Sequence, residues 1–291
     1  MFRKLKFFFK ELYKASKSIF TSLKKYEYDD LYYLSKLSKC CHILDKGCYT
    51  FPFQKGHSVG IYNEAIHLIN EIHSELYIND PCYIWCKERI NKYEAMQKSD
   101  SQELPKYLTG SSYSDSKNYT DFIKSTISVR RFSSDTIKNE IITNCISTAQ
   151  AAASSCFRQT TRCYAIKSKT MIEKLSNNIA GLTGFSNGVP LLFCITSDTR
   201  PYFFTEKDLN FFDAALFSQN LVLALRAHNV YSVFLSFQLA TKLDVDAVKQ
   251  ALSIPEYEKI IIFIACGFSN CVSSKPIRMN SDKIFHLIDN D

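Results

Sequence analysis

Residues 189–196 read Val-Pro-Leu-Leu-Phe-Cys-Ile-Thr, with no polar residue at alternate positions. A strand of this composition has no face to offer water and must be covered on both sides. The run 260–268, Ile-Ile-Ile-Phe-Ile-Ala-Cys-Gly-Phe, makes the same demand. It is the longest plain apolar run, and it falls well short of the roughly twenty residues of a spanning helix. Both runs therefore read as strands inside a folded domain. A chain of 291 residues with 46% apolar and 22% charged residues can build the required core. These values exclude wholesale disorder and collagen-like repeats.

Around the two runs, residues 121–291 alternate between short extended and helical patterns. An extended segment is expected at 127–132, then a helix opening near Ser134–Asp135 and running towards Ala152. Strands follow at 162–167, 189–196, 231–237 and 259–266, with helices at 206–228 and 241–252. Such mixing fits either an α/β or an α+β domain. Upstream, helical periodicity covers residues 32–44, 61–78 and 83–96, with Pro52, Gly56 and Pro81 as breaks. Residues 99–119 are polar and read as a linker or exposed loop. The expected organisation is a segment 1–25, a helical region with its linker at 26–120, and a domain at 121–291.

Residues 1–25 hold eight Lys or Arg against one acid, Glu11, while the rest of the chain has 28 of each sign. The whole net charge of +7 thus sits on the first segment. Phe2, Leu5, Phe9, Leu12, Ile19 and Leu23 recur at helical spacing between the basic residues, which describes a basic amphipathic helix over 2–24. It could lie on an anionic membrane surface or dock on protein. The balanced body gives no reason to expect nucleic-acid binding. Eleven cysteines include no Cys-x-x-Cys pair, and Cys40, Cys41, His42 and Cys48 fit no common zinc spacing. No secretory signal is evident, so reduced, mostly buried thiols in the cytoplasm are expected. His42, His57, His67 and His73 also lack ligand spacing, and no metal site is expected.

The chain has no Gly-x-x-x-x-Gly-Lys loop, Gly-x-Gly-x-x-Gly fingerprint, Gly-x-Ser-x-Gly elbow or His-Glu-x-x-His helix. Three other segments can carry chemistry. In Ile127-Ser128-Val129-Arg130-Arg131-Phe132-Ser133, an extended backbone points Ser128 and Arg130 to one side, where they can hold an anion. Ala153-Ser154-Ser155-Cys156-Phe157-Arg158-Gln159 is a helix-to-strand turn of small hydroxyl residues, which lets a flat ligand approach the backbone. After the last strand, 271–280 carries Lys275 and Arg278, a second basic loop. Taken singly, each also reads as ordinary polar surface.

In order and context these segments resemble the nitroreductase family of flavoproteins, over roughly residues 121–290. Its opening Arg-Arg-Ser-Val-Arg-x-Phe pattern is matched by Ser128-Val129-Arg130-Arg131-Phe132, and its Pro-Ser-x-x-Asn-x-Gln-Pro-Trp turn by residues 154–159. Val189-Pro190-Leu191-Leu192, Asp213-Ala214-Ala215, Ile254-Pro255-Glu256-Tyr257 and Ala265-Cys266-Gly267-Phe268 continue the series. Upstream, His42-Ile43-Leu44-Asp45-Lys46-Gly47 and Cys156-Phe157-Arg158-Gln159 resemble an extended branch of the family found near polysaccharide biosynthesis genes.

The resemblance implies an α+β fold: a mixed, mainly antiparallel sheet flanked by helices and preceded by a helical N-terminal region. It also implies bound FMN, a homodimer with the flavin at the interface, NAD(P)H as donor, and ping-pong transfer through flavin N5 to a small-molecule acceptor. Ser128, Arg130 and Arg278 match phosphate-contacting positions, with Lys275 as a further cation. Ser154 and Ser155 match the flavin-lining turn, and Gln159 the motif glutamine. No acid–base residue is required, because the cofactor carries the chemistry. Departures stand at Thr126 for arginine, Ala153 for proline, Phe157 for asparagine and Thr160-Thr161 for Pro-Trp. They suit an alternative, a degenerate nitroreductase-fold protein without turnover that binds or scaffolds.

Overall fold

The computed structural model describes residues 26–49, 53–99, 115–206, 208–270 and 277–289. The expected amphipathic helix at 2–24 and Lys275 lie outside the described residues.

The sheet has four strands: β1 (Thr161–Ile166), β2 (Leu191–Asp198), β3 (Tyr231–Ser236) and β4 (Glu258–Gly267). Their spatial order is β1-β2-β4-β3, and every pairing is antiparallel. The two apolar runs are thus the two central strands. All eight residues of β2 are buried. The period-two alternation sorts them: Leu191, Phe193 and Ile195 enter one core, Leu192 and Cys194 the other. Ile264 and Cys266 of β4 join the first, Phe263 and Ala265 the second. A bulge at Ile261 breaks the β2–β4 register, and Gln238 Nε2 donates to its carbonyl at 3.1 Å.

Helices cover both faces. On one side lie α6 (Asn139–Ala149), through Ile142, Cys145 and Ala149, and α8 (Leu209–Ala227), through Ala214, Phe217, Leu221 and Leu225. On the other lie α7 (Lys169–Ser176), through Ile172 and Leu175, and α9 (Lys242–Leu252), through Val248. Each fully buried side chain contributes about 1.5–3 kcal/mol. The start of α9 is fixed by a reciprocal capping box between Thr241 and Asp244.

The N-terminal region has its own core. It comprises α1 (Asp30–Cys48), α2 (Val59–Asn70), the single turn α3 (Glu75–Ile78) and α4 (Pro81–Lys98). Asp29 caps α1 by accepting from Tyr32 N, and Asp80 caps α4 ahead of Pro81. Leu37, Cys41, Leu44, Ala65, Cys86 and Tyr93 fill the centre. Gly47 is needed here: a Cβ on it would stand 1.8 Å from His57 Nε2. Cys40 and Cys48 are buried, and burial raises both thiols, Cys40 to about 12.

Four expected elements differ. The helix expected over 61–78 is two, α2 and α3, parted at 71–74 where His73 N and Ser74 N donate to Asp30. The segment 127–132 is extended but forms one isolated bridge, Ser128 to Ser232, rather than a strand. The helix expected from Ser134–Asp135 starts only at Asn139, because Ser133 Oγ donates to Asp135 in a local turn and Ile137 is already drawn into the core. Within the polar stretch 99–119, Asp115 caps a short helix, α5 (Ser116–Lys124). No described helix is long and apolar enough to cross a membrane.

Candidate functional site

The turn joining α6 to β1 is unusual in its backbone. Cys156, Phe157 and Gln159 have φ of 50°, 60° and 52°, all in the left-handed region that non-glycine residues avoid at a cost of about 1–2 kcal/mol each. Three such residues in four persist only where the surroundings fix them.

Asp213 is the main anchor. It is 3% exposed and stands on the sheet-facing side of α8. Its carboxylate accepts from Ser155 N at 2.8 Å, Ser155 Oγ at 2.6 Å, Ser154 Oγ at 3.2 Å and Tyr202 OH at 2.7 Å. Ser154 Oγ in turn accepts from Gln159 N at 2.9 Å, which closes the loop on itself. Arg158 is the second anchor. Its guanidinium is fully buried: Nη2 donates to both Glu206 carboxylate oxygens, at 2.9 and 2.8 Å, Nη1 donates to Ser155 O at 3.2 Å, and the group lies 5.0 Å from the Tyr202 ring. Burial pushes the Glu206 carboxyl up, but hydrogen bonds from Phe203 N and Arg158 outweigh it, and the group sits below its usual value.

The third anchor is the N-terminal region. Ser38 Oγ donates to Phe157 O at 2.8 Å. The Phe157 ring, 38% exposed, meets His42 at 6.3 Å and Trp85 at 5.0 Å. Gln159 Nε2 donates to Cys82 Sγ at 3.2 Å. Beside the turn, Arg200 pairs with Asp198 at 2.7 Å and Asp29 at 3.0 Å, and its guanidinium stacks 3.6 Å from the Tyr257 ring. A cavity of about 170 Å³ remains between α1, the start of α4 and the turn. Ser38, Cys82, Ser154, Gln159 and Arg162 are among its lining residues. The structure therefore brings Ser154, Ser155 and Gln159 together, with both serine hydroxyls held by Asp213.

Ser128 and Arg130 are elsewhere. Val129 N donates to Ser232 O at 3.1 Å and its side chain is buried, which leaves Ser128 and Arg130 exposed on either side of it. Ser133 N donates to Phe268 O at 2.7 Å and Ser269 Oγ to Arg131 O at 2.6 Å. Gly267 allows this contact, since a Cβ there would lie 2.6 Å from Pro190 and 2.9 Å from Phe132. The segment thus sits where β3 begins and β4 ends. The 154–159 turn sits where β2 ends, with Asp198 N donating to Thr160 O. Strand geometry puts these ends on the order of 25 Å apart. Arg278 is exposed near the start of the described segment 277–289. Among the described residues, neither Arg130 nor Arg278 forms an ion pair of the kind that holds Arg158 or Arg200.

Glu206 and Tyr202 are not legible as site residues in the sequence, because their partners are distant along the chain. Arg158 and Asp213 stand within motifs that the sequence shows, but their anchoring roles are not legible there.

No protein-family profile matches the chain, and no curated protein matches it. Solved structures do. A nitroreductase-like protein from Streptococcus mutans aligns with a TM-score of 0.53 at 21% identity, over 59% of this chain and 98% of that one. NfrA2 of B. megaterium gives 0.52 at 19% identity, over 59% and 74%. The NfrA1 nitroreductase of B. subtilis gives 0.51 at 19%, over 57% and 72%. The C-terminal part of the chain, sheet and flanking helices together, has the nitroreductase fold.

Proposed function

We propose that the C-terminal part binds FMN and acts as an NAD(P)H-dependent oxidoreductase, assembled as a homodimer. The observation that carries this reading is the separation of the two candidate segments. Ser128 and Arg130 lie at one end of the sheet and Ser154, Ser155 and Gln159 at the other, so one elongated ligand meets both sets only when two copies combine. An apolar face is available for such pairing. Phe212 and Leu216 on α8 are 64% and 46% exposed, and Ile277, Met279, Ile284 and Phe285 are exposed near the C-terminus.

The residues fit the cofactor unequally. Arg130, Arg278 and Lys275 supply cations suited to a phosphate of about −1.5 to −2 charges, with Ser128 as a hydroxyl donor. At the other end, Ser154 and Ser155 keep the turn in shape through Asp213, so the ring would meet the turn's backbone and Gln159 rather than free hydroxyls. The chemistry a bound FMN supplies is hydride exchange in two separate half-reactions, donor first and acceptor second. The protein's part is to bind the phosphate, orient the ring and limit water.

The engaged serines and the Phe157 contact favour a second reading, a non-catalytic member of the fold whose turn serves to hold the N-terminal region. The visible absorbance spectrum of the purified protein separates the two. A flavin spectrum that bleaches anaerobically with NADPH or NADH supports the oxidoreductase. A colourless protein that takes up no added FMN overturns it. Light scattering checks the homodimer independently.

A further inference from the structure

Three thiols meet where the N-terminal region faces the turn: Cys41 on α1, and Cys82 and Cys86 on α4. Cys41 Sγ donates to the Cys86 carbonyl at 3.6 Å, and Cys82 stands one helical turn before Cys86 on α4. They form a chain with Cys86 in the middle, and no metal-binding group of three side chains occurs among the described residues. The chain has an open and a closed end. Cys41 and Cys86 are fully buried, whereas Cys82 is half-buried and lines the 170 Å³ cavity.

The environments of Cys82 and Cys86 differ in sign. The hydrogen bond with Cys86 lowers the Cys82 thiol below its usual value, burial opposes it, and the Gln159 amide lowers it further. Hydrogen bonds with Cys41 and then Cys82, followed by burial, push Cys86 up. A thiol that lines a cavity and accepts a hydrogen bond from an amide, one turn from a fully buried thiol, is the arrangement of an attacking and a resolving cysteine. The backbone permits their union. Residues four apart on a helix have Cα atoms about 6.2 Å apart, inside the disulfide range of about 4.4–6.8 Å. Their Cβ atoms, about 5–6 Å apart in a regular helix, must draw closer, so the first turn of α4 has to give and the bond should be easily reduced.

We propose that Cys82 and Cys86 form a hydroperoxide-oxidisable pair that closes to a reversible disulfide. Cys82 Sγ attacks the peroxide, the O–O bond breaks, and Cys82 becomes a sulfenic acid while an alcohol, or water from hydrogen peroxide, departs with the thiol proton. Cys86 Sγ then attacks Cys82 Sγ, the S–O bond breaks, and water leaves with the Cys86 proton. Two thiols lose two hydrogen atoms and one peroxide is reduced. Once oxidised, Cys82 is a poorer acceptor for Gln159, and the turn loses one of its ties to α4. The inference concerns this chain's own thiols and stands whether or not FMN binds.

Hydrogen peroxide titrated into the reduced full-length protein, followed by acid quench, alkylation and tryptic mapping, tests it. Both cysteines fall in the peptide 56–87, which contains no other cysteine. The expected result is an internal disulfide in that peptide, lighter by two hydrogen atoms, formed before exposed Cys156 is modified and removed by dithiothreitol. In Cys86→Ser, dimedone should trap Cys82 with roughly tenfold more adduct than in the wild type, since the sulfenic acid has lost its resolving thiol. Oxidation confined to Cys156, a disulfide joining Cys86 to Cys41, or an unlabelled Cys82 in Cys86→Ser would overturn the proposal. The wild-type map needs no variant and decides the matter even if Cys86→Ser fails to fold.

Discussion

The two segments that resemble flavin-binding motifs are built in opposite ways. The 154–159 turn is densely bonded: Asp213, the Arg158–Glu206 pair and the N-terminal helices engage its polar groups, Arg158 Nε excepted, and hold three left-handed residues in place. The 128–133 segment is fastened by its backbone and the buried Val129, while Ser128 and Arg130 face outward. A motif residue can thus be kept for shape or kept for contact, and hydrogen-bond partners tell which. Substitutions in the first segment should act on stability, and those in the second on ligand affinity.

The largest effect is expected at Asp213. Asp213→Ala removes the acceptor of Ser155 N and Ser155 Oγ, while the Tyr202 hydroxyl keeps Thr160 Oγ1 at 2.6 Å, and should cost about 2–6 kcal/mol in urea unfolding, at about 1–3 kcal/mol per orphaned group. A loss below about 1 kcal/mol would show that the turn does not depend on this anchor. Phe157→Ala should cost about 2 kcal/mol through the lost ring contacts. Phe157→Gly should be the milder change by roughly 1 kcal/mol, because glycine accepts the left-handed backbone. The reverse order would remove strain from the account of this turn.

Acid should loosen the turn next. The folded values of Glu206 and Asp29 lie below the ordinary 4.5 and 3.8, so their contribution is present above those values and fades as pH falls through the lowered ones. For Asp29, burial raises the carboxyl, and hydrogen bonds from Tyr32 N and Arg200 more than offset it. Limited proteolysis between about pH 3 and 5 should release the N-terminal helices before the sheet unfolds, and Arg158→Met should flatten that dependence. The smallest stability effect is expected at the open segment. Arg130→Ala should alter unfolding by no more than about 0.5 kcal/mol, yet weaken FMN binding about tenfold or more, as loss of a charged hydrogen bond predicts. Equal FMN affinity in fluorescence titration would detach Arg130 from the proposed phosphate site.

The same contrast explains what can be read from the chain. The runs at 189–196 and 260–268 are legible because burial on both faces removes every polar position, and they form the central strands. The N-terminal helices carry their own signals: capping acids, a proline at the first turn, and apolar spacing. Residues 127–132 are harder, because a segment held by one bridge has the composition of a strand without its ladder. The fate of Ser154 and Ser155 is not legible at all. Nothing local reports that Asp213, 58 residues beyond Ser155, accepts from both hydroxyls, or that Phe157 meets two aromatic rings of another region. Local patterns reveal elements, whereas long-range polar pairing decides what a motif residue does.

Trp85 is the chain's one tryptophan, and it rests against Phe157 where the N-terminal region grips the turn. All indole emission therefore comes from this joint and none from the sheet. Stopped-flow fluorescence can time the parting of the two regions separately from global unfolding, in the unlabelled protein.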